Sequence, residues 1–111
     1  MSTPQEQFLK FLDLQRADYQ RVLPEKLAYL QTLWAAVDAG AAPPVLAELE
    51  RLAHTLAGTA GTLGFRDLGL AAKSLELLLT QAVEGAAVLT PEQRSDISQA
   101  MVTLQASLPR V

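Results

Sequence analysis

The only histidine of the chain, His54, lies in the segment LAHTLAGTAGTLGF (residues 52–65), which also holds three of the six glycines, Gly58, Gly61 and Gly64. An imidazole is a covalent nucleophile in many proteins. Its unperturbed pKa of about 6.5 leaves one ring nitrogen free near neutral pH. Each glycine inside a helix costs about 1 kcal/mol relative to alanine. The segment therefore combines a potential nucleophile with a backbone that carries few side chains.

Helical periodicity predicts which side of this segment faces solvent. At about 100° per residue, the apolar residues gather on one side and His54 points roughly opposite. Gly58 and Gly61 share the outward face of His54, with Ala57 and Thr62 on its two flanks. The predicted core stripe consists of Val45, Leu49, Leu52, Leu56, Ala60 and Leu63. We expect His54 to be exposed on an open surface.

Two interpretations of this glycine-rich face stay open. In the first, Gly58 and Gly61 let a neighbouring helix approach, and His54 is an ordinary surface residue. In the second, the active site of a partner approaches and uses the imidazole as a nucleophile. The chain has no glycine-rich phosphate loop and no convergent carboxylate pair near His54, so in that case the partner supplies the helper groups. Metal or haem binding is the weakest alternative, because no second histidine or cysteine ligand exists.

The composition limits the class of protein. The 111 residues are half hydrophobic and only 5% aromatic, which is typical of a single helical domain over residues 1–111. The absence of cysteine excludes disulfides and thiolate metal sites. A net charge of −3 with scattered basic residues argues against binding to nucleic acid. No apolar stretch approaches the roughly 20 residues of a membrane span, and the N-terminus is unlike a signal peptide, so we expect no membrane contact and a cytoplasmic location.

Proline and glycine divide the chain into five predicted helices. They run over Pro4–Val22, from Pro24 to Gly40, over Pro44–Phe65, from the N-cap Asp67 to Gly85, and from the capping box at Thr90 to Leu108. The predicted fold is all-α: the last four helices form an antiparallel four-helix bundle, and an additional N-terminal helix lies over it. Phe8, Phe11, Leu12 and Tyr19 are the side chains expected to make that contact.

The segment HTLAGTAGTLGF resembles the signature of histidine-containing phosphotransfer (Hpt) domains, which reads His, any residue, Leu, Lys, Gly, then small residues and a Leu-Gly pair. The next segment, LGLAAKSLE, is similar to the family's following helix, in which a Leu-Glu pair, here Leu75 and Glu76, is common. The resemblance implies a four-helix bundle that carries phosphoryl groups in a multistep two-component phosphorelay. The Nε2 atom of His54 would accept a phosphoryl group from an aspartyl phosphate and pass it to another aspartate.

The resemblance also implies the partners. They are response-regulator receiver domains or a hybrid sensor kinase, and the receiver brings Mg²⁺ during transfer. The chain itself then needs no intrinsic cofactor and has no kinase activity of its own. We expect it to be a monomer.

One departure from the family pattern concerns charge. Ala57 stands where the family commonly has a lysine, three residues after the histidine. Arg51 lies on a neighbouring part of the same face and is a candidate replacement, as are Lys73 and Arg66 from the following segment. The alternative for Arg51 is a solvated side chain paired with Glu48 or Glu50.

The predicted phosphoryl site and docking surface consist of Arg51, Ala57, Gly58, Gly61, Thr62 and Phe65 around His54. Packing in the core or at its edge is the first interpretation of Phe65, and a place in the docking surface is the alternative, because Phe65 falls about 20° from His54 by the ideal helix count. Because Ala57 carries no charge, a second function stays open. The chain would then be an Hpt-like adaptor that binds partners without being phosphorylated.

Overall fold

The computed structural model describes residues 2–85 and 88–109, and they form four helices. Helix α1 is Pro4–Asp38, α2 is Pro43–Thr62, α3 is Arg66–Gly85 and α4 is Pro91–Ala106. Neither described range contains a strand, which confirms the all-α prediction. None of these helices is long and apolar enough to cross a membrane.

The prediction of an additional N-terminal helix is wrong, because α1 continues through Pro24 as one helix of 35 residues. A proline inside a helix costs about 3 kcal/mol. Leu23, Leu27 and Leu30 form one buried stripe across the proline, and each buried leucine contributes about 1.5–3 kcal/mol. A break at Pro24 would remove Leu23 from that stripe, so burial on both sides of the proline outweighs its local cost.

The first half of α1 does not cover the bundle either. Phe8, Leu9, Phe11 and Leu14 are each more than half exposed, whereas Tyr19 is the first residue of α1 that packs against the core. Helix α1 is about 52 Å long at 1.5 Å per residue, and the molecule measures 60 Å along its longest axis. The N-terminal turns of α1 therefore extend beyond the other three helices.

The four helices form an antiparallel bundle, as predicted. Helices α2 and α3 make the most extensive contact, and α1 also touches α4. Trp34 of α1 donates a hydrogen bond from Nε1 to Ser98 Oγ of α4 at 3.1 Å. One turn further along α1, Asp38 accepts a hydrogen bond from Arg94 at 3.3 Å. The pairs progress in opposite directions along the two helices, as antiparallel neighbours require.

Glycines with positive φ end the first two helices. Gly40 has φ +97° and Gly64 has φ +85°, a conformation that side-chain-bearing residues rarely adopt. After α2, the amide of Gly64 donates to the carbonyl of Gly61, and the amide of Phe65 donates to the carbonyl of Ala60. These two bonds define a Schellman motif. Helix α2 thus ends at Thr62, three residues earlier than predicted, and Gly64 caps it from outside.

The remaining helix boundaries lie close to the predictions. Helix α3 begins at Arg66, which places Asp67 inside the first turn, and it ends at Gly85 as expected. Thr90 and Gln93 form the predicted capping box of α4, with bonds of 2.9 and 3.0 Å. Helix α4 ends at Ala106, and Leu108 beyond it still packs against the core.

Candidate functional site

Helix α2 holds His54 on the surface by burying its opposite side. Leu49, Ala53, Leu56 and Ala60 are buried in the core, and the His54 side chain is 73% exposed. The predicted stripe omits Ala53, which is fully buried. Val45, Leu52 and Leu63, which the prediction included, are half-buried, and Val45 and Leu52 pack against the edge of the core.

The outward face of α2 beyond His54 is open. A Cβ atom added to Gly58 or Gly61 would meet no other atom within 4 Å. Neither glycine therefore makes room for the side chains of a neighbouring helix. The helix-packing interpretation of these two residues has no support in this geometry, whereas the interpretation that an external partner approaches them remains.

The close approach of two helices instead depends on Gly69 of α3. A Cβ atom at this position would lie 3.3 Å from the backbone nitrogen and 3.5 Å from the Cα of Gly61. Such contacts are with the backbone of α2, which cannot move aside easily. Gly69 therefore lets α3 lie close against the outward edge of α2, where His54 is exposed.

This close contact aligns a stripe of α3 with the histidine. Lys73 and Glu76 follow Gly69 at spacings of four and seven residues, so all three lie on one side of α3. Glu76 Oε2 lies 2.5 Å from His54 Nδ1, and Glu76 Oε1 lies 3.3 Å from Lys73 Nζ. A single carboxylate thus contacts both the imidazole and an ammonium group.

The contact with Glu76 selects the tautomer of His54. An ionised carboxylate only accepts hydrogen bonds, so the proton must lie on Nδ1 of the imidazole, which donates it to Glu76. In the neutral ring, Nε2 then carries an unshared electron pair. Because the Glu76 side chain is only 12% exposed and that of His54 is 73% exposed, the oriented ring presents its nucleophilic nitrogen to solvent.

The environment of Glu76 favours its ionised form. Burial raises the pKa of the Glu76 carboxyl group, but the hydrogen bonds from His54 and Lys73 lower it by more, together with the positive charge of Lys73 and, when its ring is protonated, that of His54. The net effect is a pKa below the usual range of glutamate. The carboxylate is therefore charged at neutral pH and stays an acceptor for Nδ1.

Two open clefts meet at His54 and Gly58. The cleft towards α3 is also lined by Ala57, Gly61, Lys73 and Glu76, among others. Its volume of about 440 Å³ greatly exceeds the roughly 30 Å³ that one water occupies in the liquid. A phosphate-sized group attached to the imidazole has ample room there.

The second cleft lies between α2 and α1. It contains Thr62, with Tyr19 and Asp18 on the opposite side. Ala57 and Thr62 thus lie on opposite sides of His54, Ala57 in the cleft towards α3 and Thr62 in the cleft towards α1.

Arg51 does not contribute to either cleft. Its guanidinium group donates hydrogen bonds to Glu48 from Nε at 2.9 Å and from Nη2 at 2.6 Å. This hydrogen bond lowers the pKa of Glu48. The structure therefore shows the ion pair that was the alternative for Arg51.

Phe65 lines neither of the two clefts beside His54. It follows the end of α2, so the ideal helix count does not apply to it. Its ring stacks on Tyr19 with centroids 6.2 Å apart, and the Arg16 guanidinium lies 5.5 Å from the centroid of Phe65. Phe65 is half-buried and packs at the edge of the core, which is its simpler predicted role.

Sequence reasoning missed the roles of Glu76 and Gly69. Glu76 drew attention only as part of a Leu-Glu pair, and Gly69 not at all. The available signal was the spacing of Gly69, Lys73 and Glu76, which repeats the spacing of Gly61, Ala57 and His54 in the opposite direction along the chain. An antiparallel contact between the two helices brings these stripes together.

The site shows no metal-binding arrangement within the described part of the chain, where no three histidine, aspartate or glutamate side chains cluster. The chain matches the family model of the Hpt domain over residues 11–108. No curated protein and no solved structure matches it.

Proposed function

The chain belongs to the Hpt domain family, whose members carry phosphoryl groups on histidine in two-component phosphorelays, and we propose that His54 is the residue that carries the phosphoryl group here. One observation carries this proposal. His54 is an exposed imidazole whose Nδ1 is bonded to the mostly buried Glu76 at 2.5 Å. Its Nε2 is the atom left for attack.

The proposed step is a direct displacement at phosphorus. The lone pair of His54 Nε2 forms a bond to the phosphorus of a receiver's aspartyl phosphate. The P–O bond to the aspartate breaks, and its electron pair leaves with the carboxylate. The Nδ1 proton stays on the ring, which becomes positively charged beside Glu76. In the second transfer, the aspartate of another receiver attacks the phosphorus. The bond between phosphorus and Nε2 breaks, and His54 returns to its neutral form.

The groups needed for phosphoryl transfer are divided between this chain and its partners. Phosphoryl transfer depends mainly on alignment and on charge stabilisation. This chain positions a nucleophile and keeps the surface around it clear at Gly58 and Gly61. We assign Mg²⁺ and the acidic pocket to the receiver domain, and phosphorylation from ATP to a sensor kinase.

The partner surface that we propose is the exposed side of α2 with its two flanking clefts. A receiver must bring its aspartate within bonding distance of Nε2, so its loops would occupy the space over Gly58 and Gly61 and contact Thr62. Receiver domains and a hybrid sensor kinase are the proposed partners of a monomeric chain. The cytoplasmic location stays a prediction.

The test is transfer of labelled phosphate from a panel of phosphorylated receivers, with Mg²⁺ present, to the wild type and to His54→Gln. We expect label on the wild type alone, lost in acid and retained in base, as a phosphohistidine requires. Equal binding of both proteins to the receiver serves as the control for folding. Equal labelling of His54→Gln would contradict the proposal.

Ala57 favours a second candidate function. Without a lysine at this position, the chain could serve as an adaptor that binds receivers but is not phosphorylated. In that case, a receiver that demonstrably binds would transfer no label to the wild type. His54→Gln would then leave both binding and signalling output unchanged.

A further inference from the structure

We propose that Lys73, on α3, supplies the cation for the phosphoryl group on His54, in place of the lysine that is missing at position 57 of α2. This inference rests on the proposed function of His54 as a phosphoryl carrier.

The register of α2 against α3 places Lys73 opposite Ala57. Gly69 touches Gly61 at one level, and Glu76 binds His54 at another. Lys73 lies four residues after Gly69, and Ala57 lies four residues before Gly61. Antiparallel helices with equal rise therefore bring positions 57 and 73 to the same level.

The two side chains at this level are complementary in size. Ala57 is half-buried against the core and contributes only a methyl group. Lys73 lines the same cleft as His54 and Ala57, and its side chain is 57% exposed. The small residue on α2 keeps its side of this cleft free of a bulky side chain, and the longer lysine side chain lines the same cleft from α3.

The other cations near the site lie farther from Glu76 or outside the cleft that Lys73 lines. Arg66 lines the same cleft but lies ten residues from Glu76, about 15 Å along the helix, whereas Lys73 lies three residues away, about 4.5 Å. Arg21 lies in the α1-side cleft and is paired with Asp18 at 3.1 Å. Arg51 is held by Glu48 outside both clefts.

Lys73 is also free to change partner. Its ammonium group lies 3.3 Å from Glu76 Oε1, and because the Lys73 side chain is 57% exposed, solvent screens this ion pair. A phosphoryl group attached to Nε2 brings concentrated negative charge, and lysine binds phosphate well as a point charge. Glu76 thus positions both the nucleophile and the cation, and Lys73 turns from the carboxylate to the phosphoryl oxygens when these arrive.

The experiment compares Lys73→Gln with Lys10→Gln. The second variant removes the same charge from an exposed position in the N-terminal turns of α1. Two quantities are measured: the initial rate of label transfer from a phosphorylated receiver, and the lifetime of the isolated phosphohistidine protein. We expect Lys73→Gln to lower the transfer rate by roughly ten-fold, as for loss of a charge-assisted hydrogen bond at an exposed site. Added salt should shrink the difference, and Lys10→Gln should behave as the wild type.

Two further variants separate charge from structure. Lys73→Arg keeps the cation on α3, and the double variant Ala57→Lys with Lys73→Gln moves it to α2. Recovery of transfer by either arrangement supports the assignment. An unchanged rate and lifetime in Lys73→Gln, or a loss that neither arrangement restores, would overturn it. If the wild type takes no label at all, the proposed function itself fails, so the two failures are distinguishable.

Discussion

Replacing Glu76 is the perturbation that tests how the site activates its nucleophile. The carboxylate accepts the Nδ1 proton of His54 at 2.5 Å, and the attack at Nε2 turns the neutral ring into a cation. The bond between Glu76 and the imidazole therefore becomes stronger as the reaction proceeds. An interaction that strengthens in the transition state accelerates the reaction. Glu76→Ala should slow phosphoryl acceptance without abolishing it.

The size of the effect follows from the exposure of the two partners. A hydrogen bond to a charged group contributes about 1.5–3 kcal/mol. His54 is 73% exposed, so the lower end applies, and a loss of about 1.5 kcal/mol corresponds to a roughly ten-fold slower transfer. Glu76→Gln keeps an acceptor oxygen but loses the charge. Because neutral hydrogen bonds are about half as strong, the expected slowing is roughly three-fold.

The assay combines transfer kinetics with nitrogen NMR of the imidazole. The wild type should show a proton on Nδ1 and none on Nε2, and Glu76→Ala should lose this preference. Glu84→Ala is the matched control, since Glu84 lies on the same helix and is exposed. Wild-type kinetics in Glu76→Ala, or a wild-type ring protonated mainly at Nε2, would refute the role assigned to Glu76.

Three further predictions follow from the same geometry. First, the pKa of Glu76 is lower in the folded protein than its ordinary value, so its carboxylate stabilises the fold above about pH 4.3, the usual pKa of glutamate. This stabilisation is lost as the pH falls through the pKa of Glu76 in the folded state. The stability difference between wild type and Glu76→Gln, measured by urea unfolding, should shrink below that pH, and a constant difference would contradict the shift. Second, Gly58→Ala should raise the free energy of unfolding by about 1 kcal/mol, because its Cβ meets open space, whereas Gly58→Leu should keep the fold but slow transfer from the receiver. Transfer to Gly58→Leu at the wild-type rate would show that the receiver does not need the open surface at Gly58. Third, Gly69→Val should lower the thermal midpoint and also slow transfer, because its Cβ meets the backbone of Gly61 and forces α3 away from His54. Transfer at the wild-type rate would show that the close helix contact does not position the site.

Local signals in the sequence predicted much of the fold. The capping box at Thr90 and Gly40 act within a few residues, so the start of α4 and the end of α1 followed from them. The exposure of His54 followed from helical periodicity alone, because Leu49 and Leu56 fix which side of α2 is buried. These features depend on neighbours in the chain.

The continuation of α1 through Pro24 could not be predicted in this way. The local rule for proline favours a break, and what overrides it is the burial of Leu23 and Leu27 against other helices. The same limitation applies to Phe65, whose position depends on the Schellman motif at Gly64. The ideal helix count does not reach Phe65, because α2 ends at Thr62.

The partnership of His54 with Glu76 was likewise out of reach. These residues are 22 positions apart, and their contact depends on the register of α2 against α3. Gly69 sets that register by removing a side chain that would hold the helices apart. The spacing of residues in one helix predicts contacts with another helix only once the register between the two helices is known.

The most direct test of the account is phosphorus and nitrogen NMR of the ¹⁵N-labelled protein after transfer from a phosphorylated receiver. The account predicts a phosphoryl group bonded to Nε2 of His54, with the proton still on Nδ1 beside Glu76. A phosphoryl group on Nδ1, on another residue, or on no residue of this chain would contradict it.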